Sequence, residues 1–335
     1  MVISRTPFRI SFFGGGTDYP IWYRQHGGSV ISTTINKYCY LSCRFLPPFF
    51  DYNYRVRYYY NELVNTVEDI QHPSVRSCIQ KLNIERGLDI VHNADLPAQS
   101  GLGSSSTFTV GLLHALRALE HYMPTKRELA LDALSVEQDL LKENVGSQDQ
   151  TAAAFGGLNR IRFGGPQEIS VEQIILPPER IAELQGNLLL FFTGFTRNAD
   201  TVAAEQIKST PKKGTELTRM MEIVNHAQEI LMSRSEPIDS FGRLMDEQWQ
   251  LKRSLTPLIS NGHIDEIYRV ARENGALGGK LLGAGSGGFI IFYANPEHHK
   301  SIKQALSSFL HVPFRFEYTG SQIVYYSHPE SYLYK

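Results

Sequence analysis

The feature of this sequence that most constrains its fold is a segment of glycines and serines at residues 97–106, PAQSGLGSSS, which leads directly into a predicted helix. Glycines let backbone N–H groups turn inward, and a helix N-terminus adds partial positive charge, so the segment predicts an anion-binding loop. Taken alone, the segment is explained equally well by serines that cap a helix. No lysine follows the last glycine, so this is not a Walker phosphate loop. The helix is predicted because four apolar residues share one face: Phe108, Leu112, Leu116 and Leu119.

A second glycine-rich segment, residues 283–288, formally matches the G-x-G-x-x-G pattern of dinucleotide-binding proteins. That pattern binds a dinucleotide where it follows a strand and opens a helix. Here a helical region precedes the glycines and a predicted strand, 289–293, follows them, so dinucleotide binding is strongly disfavoured. A loop that brings backbone close to a ligand is favoured over a plain structural turn.

Two acids follow segments of small residues and are candidates for chemistry. Asp18 ends RISFFGGGTD (9–18), where a predicted strand runs into three glycines. Side-chain-free backbone beside an acid suits a sugar, and a solvated acid in a glycine turn is the alternative. Asp149, in GSQDQ (146–150), is predicted at a buried helix start. There it is either a partner of the helix dipole or a functional carboxylate.

The order of predicted elements indicates two α+β domains. A length of 335 residues with 42% hydrophobic residues suits two packed cores. The predicted strands and helices do not alternate in βαβ units, which favours the α+β class. We expect domains over 1–170 and 180–335, connected through the glycine- and proline-containing segment 164–178. Strands are predicted at 9–13, 30–35, 38–45, 54–60, 88–92, 157–163, 188–193, 314–318 and 322–326. Helices are predicted from Ser104, from the capping box 125–128 to about 142, through much of 215–274, and from Asn295 to about 310.

Charge and cysteine content exclude several classes of partner. Lys and Arg number 33 against 34 Asp and Glu, whereas a protein that mainly binds nucleic acid or an anionic membrane needs a basic excess. No run of 18 apolar residues and no secretory signal is recognised. Three cysteines, Cys39, Cys43 and Cys78, form no C-x-x-C pair, which disfavours a zinc site or a disulfide framework. Cys39 and Cys43 have even spacing in YCYLSC and are expected to be buried strand thiols. The expected compartment is the cytoplasm.

The four segments occur in an order that resembles the GHMP kinase family, which includes galactokinase, homoserine kinase, mevalonate kinase and phosphomevalonate kinase. PAQSGLGSSS resembles the phosphate-loop signature P-x-x-x-G-L-G-S-S-A, and KLLGAGSGG (280–288) resembles the C-terminal glycine motif. RISFFGGGTDY resembles the N-terminal segment of the sugar kinases, and GSQDQ resembles their GIMDQ. The resemblance implies an α+β fold with an N-terminal domain like the second domain of ribosomal protein S5 and a ferredoxin-like C-terminal domain. ATP and substrate would bind between the two.

Matching positions imply roles for individual residues. Asp149 falls on the catalytic aspartate and Arg9 on the arginine beside it, while Glu137 falls on the acid that binds Mg²⁺. Phosphoryl transfer needs alignment and charge neutralisation, which such groups supply. The residues implied to bind the ATP phosphates are Gly101, Leu102, Gly103, Ser104, Ser105 and Ser106, with Ser105 as the other Mg²⁺ ligand. The residues implied to bind substrate are Gly15, Gly16, Thr17, Asp18, Gly283, Ala284 and Gly285.

One departure from galactokinase bears on the sugar. Galactokinase has a Glu-His pair where this chain has Gly15–Gly16, so the glycines are expected to remove those contacts and make space. The segment resembles the branch of heptose 7-phosphate kinases, with fucose kinases as neighbours. A phosphorylated sugar would need basic partners. The candidates are Arg24, Arg197 and Lys280, each of which taken alone is more typical of a solvated surface charge.

The resemblance therefore implies an ATP- and Mg²⁺-dependent sugar 1-kinase acting on a heptose 7-phosphate, in the synthesis of a nucleotide-activated heptose. Another sugar 1-kinase, such as one for fucose, is the alternative within the family. A catalytically inactive sensor of sugar and ATP is the alternative outside enzymes, and it is disfavoured because the aspartate, glutamate and loop serines are all present. The expected partners are small molecules, and the sequence leaves the oligomeric state open.

Overall fold

The computed structural model describes residues 1–194 and 199–328, which form two β-sheets covered by helices. The strands are β1 Val2–Phe13, β2 Gly28–Phe45, β3 Tyr54–Arg57, β4 Asn61–Val64, β5 Leu88–Ala94, β6 Asn159–Phe163, β7 Ile169–Gln173, β8 Leu188–Phe192, β9 Gly278–Leu281, β10 Phe289–Tyr293, β11 Leu310–His311, β12 Phe316–Glu317 and β13 Gln322–Tyr326.

The helices that position the site are α3, α5 and α9. The α-helices are α1 Pro20–His26, α2 Pro73–Leu82, α3 Ser104–Leu119, α4 Lys126–Leu134, α5 Gln148–Phe155, α6 Pro178–Gly186, α7 Ala199–Ser209, α8 Gly214–Met232, α9 Asp239–Leu255, α10 Gly262–Glu273 and α11 His299–Ala305. A π-helical turn, Ser135–Leu140, follows α4, and short 3₁₀ turns cover Thr210–Lys212 and Pro296–His298.

The first sheet is built around the long antiparallel pair of β1 and β2. Its strand order is β13-β1-β2-β5-β3-β4, with β6 and β12 also paired to β2 and β7 paired to β6. The second sheet has the order β11-β8-β10-β9. Because β12 and β13 belong to the first sheet, the end of the described chain returns to the strands with which it begins. The domain ranges 1–170 and 180–335 stay a prediction. Strands β12 and β13 fall in the second range but pair with strands of the first.

Strand β1 is buried along most of its length because helices cover it on more than one side. Helix α3 packs on β1 and β2, and α8 and α9 from the C-terminal half also contact these strands. Phe12 and Phe13 meet Phe241 of α9 edge to face, with ring centroids 5.4 and 4.8 Å apart. One hydrophobic core is therefore shared by both halves of the chain.

Several predicted elements are confirmed, and others differ for physical reasons. Helix α3 is confirmed, and α4 begins at the predicted capping box, in which Thr125 and Glu128 satisfy each other's backbone N–H groups. The predicted connection 164–178 contains strand β7, which was not predicted and which pairs with β6. The two strands predicted at 30–35 and 38–45 are one continuous strand, β2. The region 215–274 is divided into α8, α9 and α10.

Cys39 and Cys43 are buried in β2, as predicted, and Cys78 is also buried. Within the described residues, no helix is both long and apolar enough to cross a bilayer.

Candidate active site

Residues from both halves of the chain line a cavity of about 810 Å³. This volume falls in the range of small-molecule sites, roughly 300–1,000 Å³. The predicted site residues that line the cavity are Arg9, Gly15, Gly16, Asp18, Gly101, Gly103, Ser104, Ser105, Ser106, Asp149, Lys280, Gly283 and Ala284.

Arg9 and Asp149 form the central ion pair of the cavity. Two guanidinium nitrogens of Arg9 donate to the two carboxylate oxygens of Asp149 at 2.8 and 2.7 Å. A third nitrogen donates to the carbonyl oxygen of Gly101 at 2.7 Å. The Arg9 side chain is 3% exposed and that of Asp149 is 24% exposed, so the arginine is fixed while the carboxylate still reaches the cavity. Arg9 therefore fixes Asp149 relative to the phosphate loop.

The phosphate loop, residues 97–106, has the backbone geometry that its glycines predicted. Gly101 and Gly103 adopt φ values of +82° and +76°, a region that favours glycine. The backbone N–H of Gln99 donates to the Ser104 hydroxyl at 3.0 Å, which closes the loop at the N-terminus of α3. The loop thus presents backbone and hydroxyl groups at a helix N-terminus, an arrangement that suits a phosphate.

The C-terminal glycine loop, residues 283–288, packs directly against the phosphate loop. A Cβ at Gly283 would overlap Gly101, and a Cβ at Gly288 would overlap the Ser100 backbone. The N–H of Phe289 also donates to the Ser100 carbonyl oxygen at 3.0 Å. These glycines are needed for a close approach of two backbones, so the loop supports the phosphate loop from behind as well as lining the cavity.

Each residue of the GSQDQ segment has a distinct position. Gly146 leaves room for the Asp18 carboxylate, which a Cβ there would overlap. The Ser147 hydroxyl bonds to the hydroxyl of Tyr23 at 3.1 Å. Gln148 and Asp149 face the cavity, and the Gln150 side chain donates to Glu137. Asp149 lies in the first turn of α5, where the helix dipole favours negative charge.

Glu137 is fully buried on the π-helical turn behind the phosphate loop and does not itself line the cavity. Its Oε2 accepts from the Ser106 hydroxyl at 2.8 Å and from Gln150, whereas its Oε1 has no hydrogen-bond partner in the part of the chain that the structure describes. Burial raises the pKa of this carboxyl to about 7. Of the two loop serines, it is therefore Ser106 that bonds to Glu137, whereas the family resemblance implies Ser105 as the metal ligand.

Asp18 is 2% exposed at the end of the glycine turn and lines the cavity. The Gly16 N–H donates to its Oδ1 at 2.8 Å. Burial raises the pKa of Asp18, and the nearby Asp149 charge adds to this effect. Thr17 was expected to contact substrate, but its hydroxyl instead donates to the carbonyl oxygens of Gly14 and Ser29, at 2.8 and 3.0 Å. Thr17 therefore shapes the turn without reaching the cavity.

The space expected at Gly16 is occupied by the C-terminal half of the chain. A Cβ there would lie 2.8 Å from Nε2 of Gln206, with Leu217 and Leu255 each 3.5 Å away, and Gly16 has a φ of +120°. The expectation that this glycine opens room for a longer sugar is therefore wrong. At Gly15 a Cβ would make ordinary contacts of 3.6 Å with Gln148 and Ser11.

Other predicted residues lie away from the cavity. Leu102 is a core residue whose carbonyl oxygen accepts the N–H of Arg9. Gly285 packs against the backbone of Ile259. Arg24 is exposed on α1 and does not line the cavity, and Arg197 lies outside the described residues. Of the two candidates that the structure describes, Lys280 lines the cavity and Arg24 does not.

An aromatic group that the sequence analysis missed forms one end of the cavity. His72 and Phe108 stack with ring centroids 4.7 Å apart, and Tyr58 and His92 pack edge-on against them. Burial lowers the pKa of both histidines, so both are neutral at pH 7. These residues come from the turn after β3, from the N-cap of α2, from β5 and from α3, and nothing in their sequence spacing indicates that they meet.

Lys252 is the other important residue that was missed. It is 6% exposed, lies on α9 and lines the cavity beside Lys280. A signal was available, because Phe241, Met245, Gln248 and Lys252 share the buried face of α9 at helical spacing. A lysine on an apolar stripe is uncommon unless it has a partner.

Two family models match this chain. The model of the GHMP kinases N terminal domain matches residues 68–157, and that of the GHMP kinases C terminal domain matches residues 231–312, together just over half of the chain.

Individual proteins match over most of the chain. The D-glycero-alpha-D-manno-heptose 7-phosphate kinase of Campylobacter jejuni is 29% identical over 319 aligned residues, which cover 90% of this chain and 92% of that protein. The L-fucokinase/L-fucose-1-P guanylyltransferase of Bacteroides fragilis is 25% identical, covering 92% of this chain and 36% of its own length. The solved structure of a D-glycero-D-manno-heptose 1-phosphate kinase from Bacteroides thetaiotaomicron matches with a TM-score of 0.77 at 23% identity, covering 98% of this chain and all of that one.

Proposed function

The chain belongs to the GHMP kinase family, and from this membership we propose that it is an ATP-dependent sugar 1-kinase. The proposed substrate is D-glycero-D-manno-heptose 7-phosphate and the product its 1,7-bisphosphate, a precursor of a nucleotide-activated heptose. The name and coverage of the Campylobacter relative support this substrate. The observation that carries the proposal is the position of Asp149, which Arg9 holds in the cavity beside the phosphate loop. The two-domain GHMP kinase fold expected from the sequence is confirmed.

The nucleotide would lie along one side of the cavity. The flat, neutral rings of His72 and Phe108 suit an adenine, since aromatic groups favour stacked contacts. The phosphate loop would then receive the phosphates, because its N–H groups and the N-terminus of α3 attract negative charge. This orientation directs the terminal phosphate toward Asp149, which lies beside Gly103.

The sugar would occupy the side of the cavity bounded by Asp18. Two polar atoms of residues that line this side have no hydrogen-bond partner among the described residues, namely Oγ of Ser11 and Oε1 of Gln148. Buried polar atoms normally find partners, and sugar hydroxyls can supply them here. Asp149 would accept the hydrogen bond of the attacking hydroxyl and orient it toward the terminal phosphate.

The arrangement around Glu137 fits the Mg²⁺ that the family implies. Among the described residues, Glu137 Oε1 is buried without a hydrogen-bond partner, and Ser106, which bonds to Oε2, lines the cavity together with Ser105. Carboxylate and hydroxyl oxygens are ligands that Mg²⁺ accepts. A bound Mg²⁺ would neutralise charge on the transferred phosphoryl group. The chain's own contribution is to hold Glu137 through Ser106 and Gln150.

A coupled assay of ADP release tests the proposal. The panel contains ATP·Mg²⁺ with the heptose 7-phosphate, the heptose 1-phosphate, the free heptose, L-fucose and galactose. We expect the 7-phosphate to give the highest kcat/KM and galactose to be a poor substrate. Preferential use of L-fucose would replace the heptose proposal with a fucose kinase, the alternative that the name of the Bacteroides fragilis relative supports. Failure to phosphorylate any sugar, together with measurable ATP binding, would favour an inactive sensor.

A further inference from the structure

Two buried lysines face the sugar side of the cavity. Lys252 of α9 and Lys280 of β9 are 6% and 4% exposed, and both line the cavity. The Lys252 ammonium donates to Oε1 of Gln206 at 2.8 Å and to the Gly15 carbonyl oxygen at 3.4 Å. The Lys280 ammonium donates to the Phe12 carbonyl oxygen at 3.3 Å. Within the described residues, neither lysine forms an ion pair with a carboxylate, so both charges rest on neutral oxygens.

The surrounding charges leave an excess of positive charge at this side of the cavity. Arg9 and Asp149 neutralise each other through two hydrogen bonds. Asp18 is then the one buried carboxylate facing both ammonium groups among the described residues. Two further acids, Asp200 and Glu143, line another part of the cavity. Asp200 of α7 accepts hydrogen bonds from Asn144, and Glu143 precedes Asn144 in the loop before α5.

Burying two ammonium groups without a matching anion is unfavourable. Burial lowers the pKa of Lys252 to about 8 and that of Lys280 to about 7, and in Lys280 the positive charge of Lys252 adds to the effect. An arrangement of this kind suits an anion that enters with the ligand and completes the hydrogen bonds of both groups.

Resting on the proposed sugar-kinase function, we propose that Lys252 and Lys280 form one subsite for the phosphate that the sugar substrate already carries. The Lys280 ammonium bonds to Phe12 at the end of β1, the Lys252 ammonium bonds to Gly15 in the glycine turn, and neither bonds to the phosphate loop. The subsite is therefore on the sugar side and separate from the groups that would hold the phosphates of ATP. The subsite would make the enzyme selective for a phosphorylated sugar.

Substrate binding should then be linked to proton uptake. In the free protein the two lysines lose protons as the pH rises from about 7 to 8 and above. A bound phosphate dianion favours their charged forms and raises both pKa values. Binding of the phosphorylated sugar should therefore take up protons near pH 8 and weaken as the pH rises to 9. Binding of the free sugar should show neither effect.

Isothermal titration calorimetry without ATP tests the subsite directly. The ligands are the heptose 7-phosphate and the free heptose, each titrated in two buffers of different ionisation enthalpy. We expect the wild-type protein to bind the phosphorylated sugar at least about tenfold more tightly, the effect of one charge-assisted contact. Lys252→Met and Lys280→Met should each remove most of this preference while changing affinity for the free heptose much less. Lys208→Met is the matched control, because Lys208 is 80% exposed on α7.

Two outcomes would overturn the subsite. One is that the folded lysine variants keep the preference for the phosphorylated sugar and lose kcat equally with both sugars, which would assign the lysines to the transferred phosphoryl group. The other is that the wild-type protein binds the phosphorylated sugar without proton uptake near pH 8, a measurement that requires no variant. Failure of the kinase proposal is distinguishable, because it would appear as absent turnover in the ADP assay while sugar-phosphate binding remains measurable.

Discussion

Asp149 and Glu137 are acids of the same site, but their surroundings give them different properties. Asp149 is partly exposed and bonded to a guanidinium, whereas Glu137 is fully buried and contacts only neutral groups through hydrogen bonds. The first environment places the carboxylate beside an opposite charge. The second makes the charge unfavourable until a cation is present.

Replacing Asp149 with asparagine should reduce turnover by about 10²-fold or more. This factor is the lower end of the rate loss expected when a general base or an orienting charge is removed. ATP binding should be retained, because the phosphate loop keeps its contact with Arg9 through Gly101. Steady-state kinetics and ATP titration measure both effects. Asp139→Asn is the control, since Asp139 is an exposed acid of the nearby π-helical turn. Near-normal turnover of Asp149→Asn would remove this residue from the reaction.

Glu137→Gln should stabilise the ligand-free protein above pH 7 while lowering its Mg²⁺-dependent activity. The folded carboxyl has a pKa of about 7 against an ordinary 4.5, so the native state retains a proton that the unfolded chain releases. Wild-type stability therefore falls between pH 4.5 and 7, and the glutamine variant avoids this loss. Melting temperatures at pH 5 and pH 8 should show a gain only at pH 8. An equal effect at both values would contradict a buried, unpaired charge.

At this scale the sequence predicted the residues that belong to contiguous motifs. Arg9, Asp18 and Asp149 line the cavity. They could be predicted because each is part of a recognisable sequence segment. Lys252 and the ring pair of His72 and Phe108 were missed because their positions depend on how distant elements pack. No local pattern places a residue of α9 against the glycine turn.

At the scale of elements, the two glycine loops act as a packed pair. Gly283→Ala should weaken ATP binding, because φ is +79° at Gly283 and the added Cβ would overlap the backbone of Gly101. The displaced phosphate loop would then lose its geometry for phosphates. Gly186→Ala is a suitable control, since a Cβ there meets nothing within 4 Å. An unchanged Kd for ATP in the folded Gly283 variant would show that the contact between the loops is dispensable.

The elements predicted well were those with strong local signals. Helix α3 has a continuous apolar face, and α4 has a capping box. Strand β7 was missed because its residues follow glycines and a proline, and its pairing with β6 is a tertiary contact. Helices α1 and α2 begin with proline and span only 7 and 10 residues, too few for a clear helical period.

At the scale of the whole molecule, the two halves share a core and a sheet. Val224 and Phe241 of the C-terminal half belong to the same hydrophobic cluster as Ile10 and Phe12 of β1. Strands β12 and β13 complete the first sheet. We therefore expect a single calorimetric unfolding transition despite the two-domain architecture, as for one cooperative unit. Two resolved transitions would show that the halves unfold independently.

The triple contact of Arg9 has a consequence for the order in which ligands are bound. One guanidinium bonds both to Asp149, which would meet the sugar, and to Gly101, which would meet the nucleotide. A nucleotide that shifts the loop therefore shifts the acid as well, so the two ligands should bind with thermodynamic coupling. By reciprocity, a non-hydrolysable ATP analogue should change sugar affinity by the same factor as the sugar changes affinity for the analogue. Paired titrations measure that factor, and Arg9→Lys, which lacks the fork needed for both contacts, should bring it close to one.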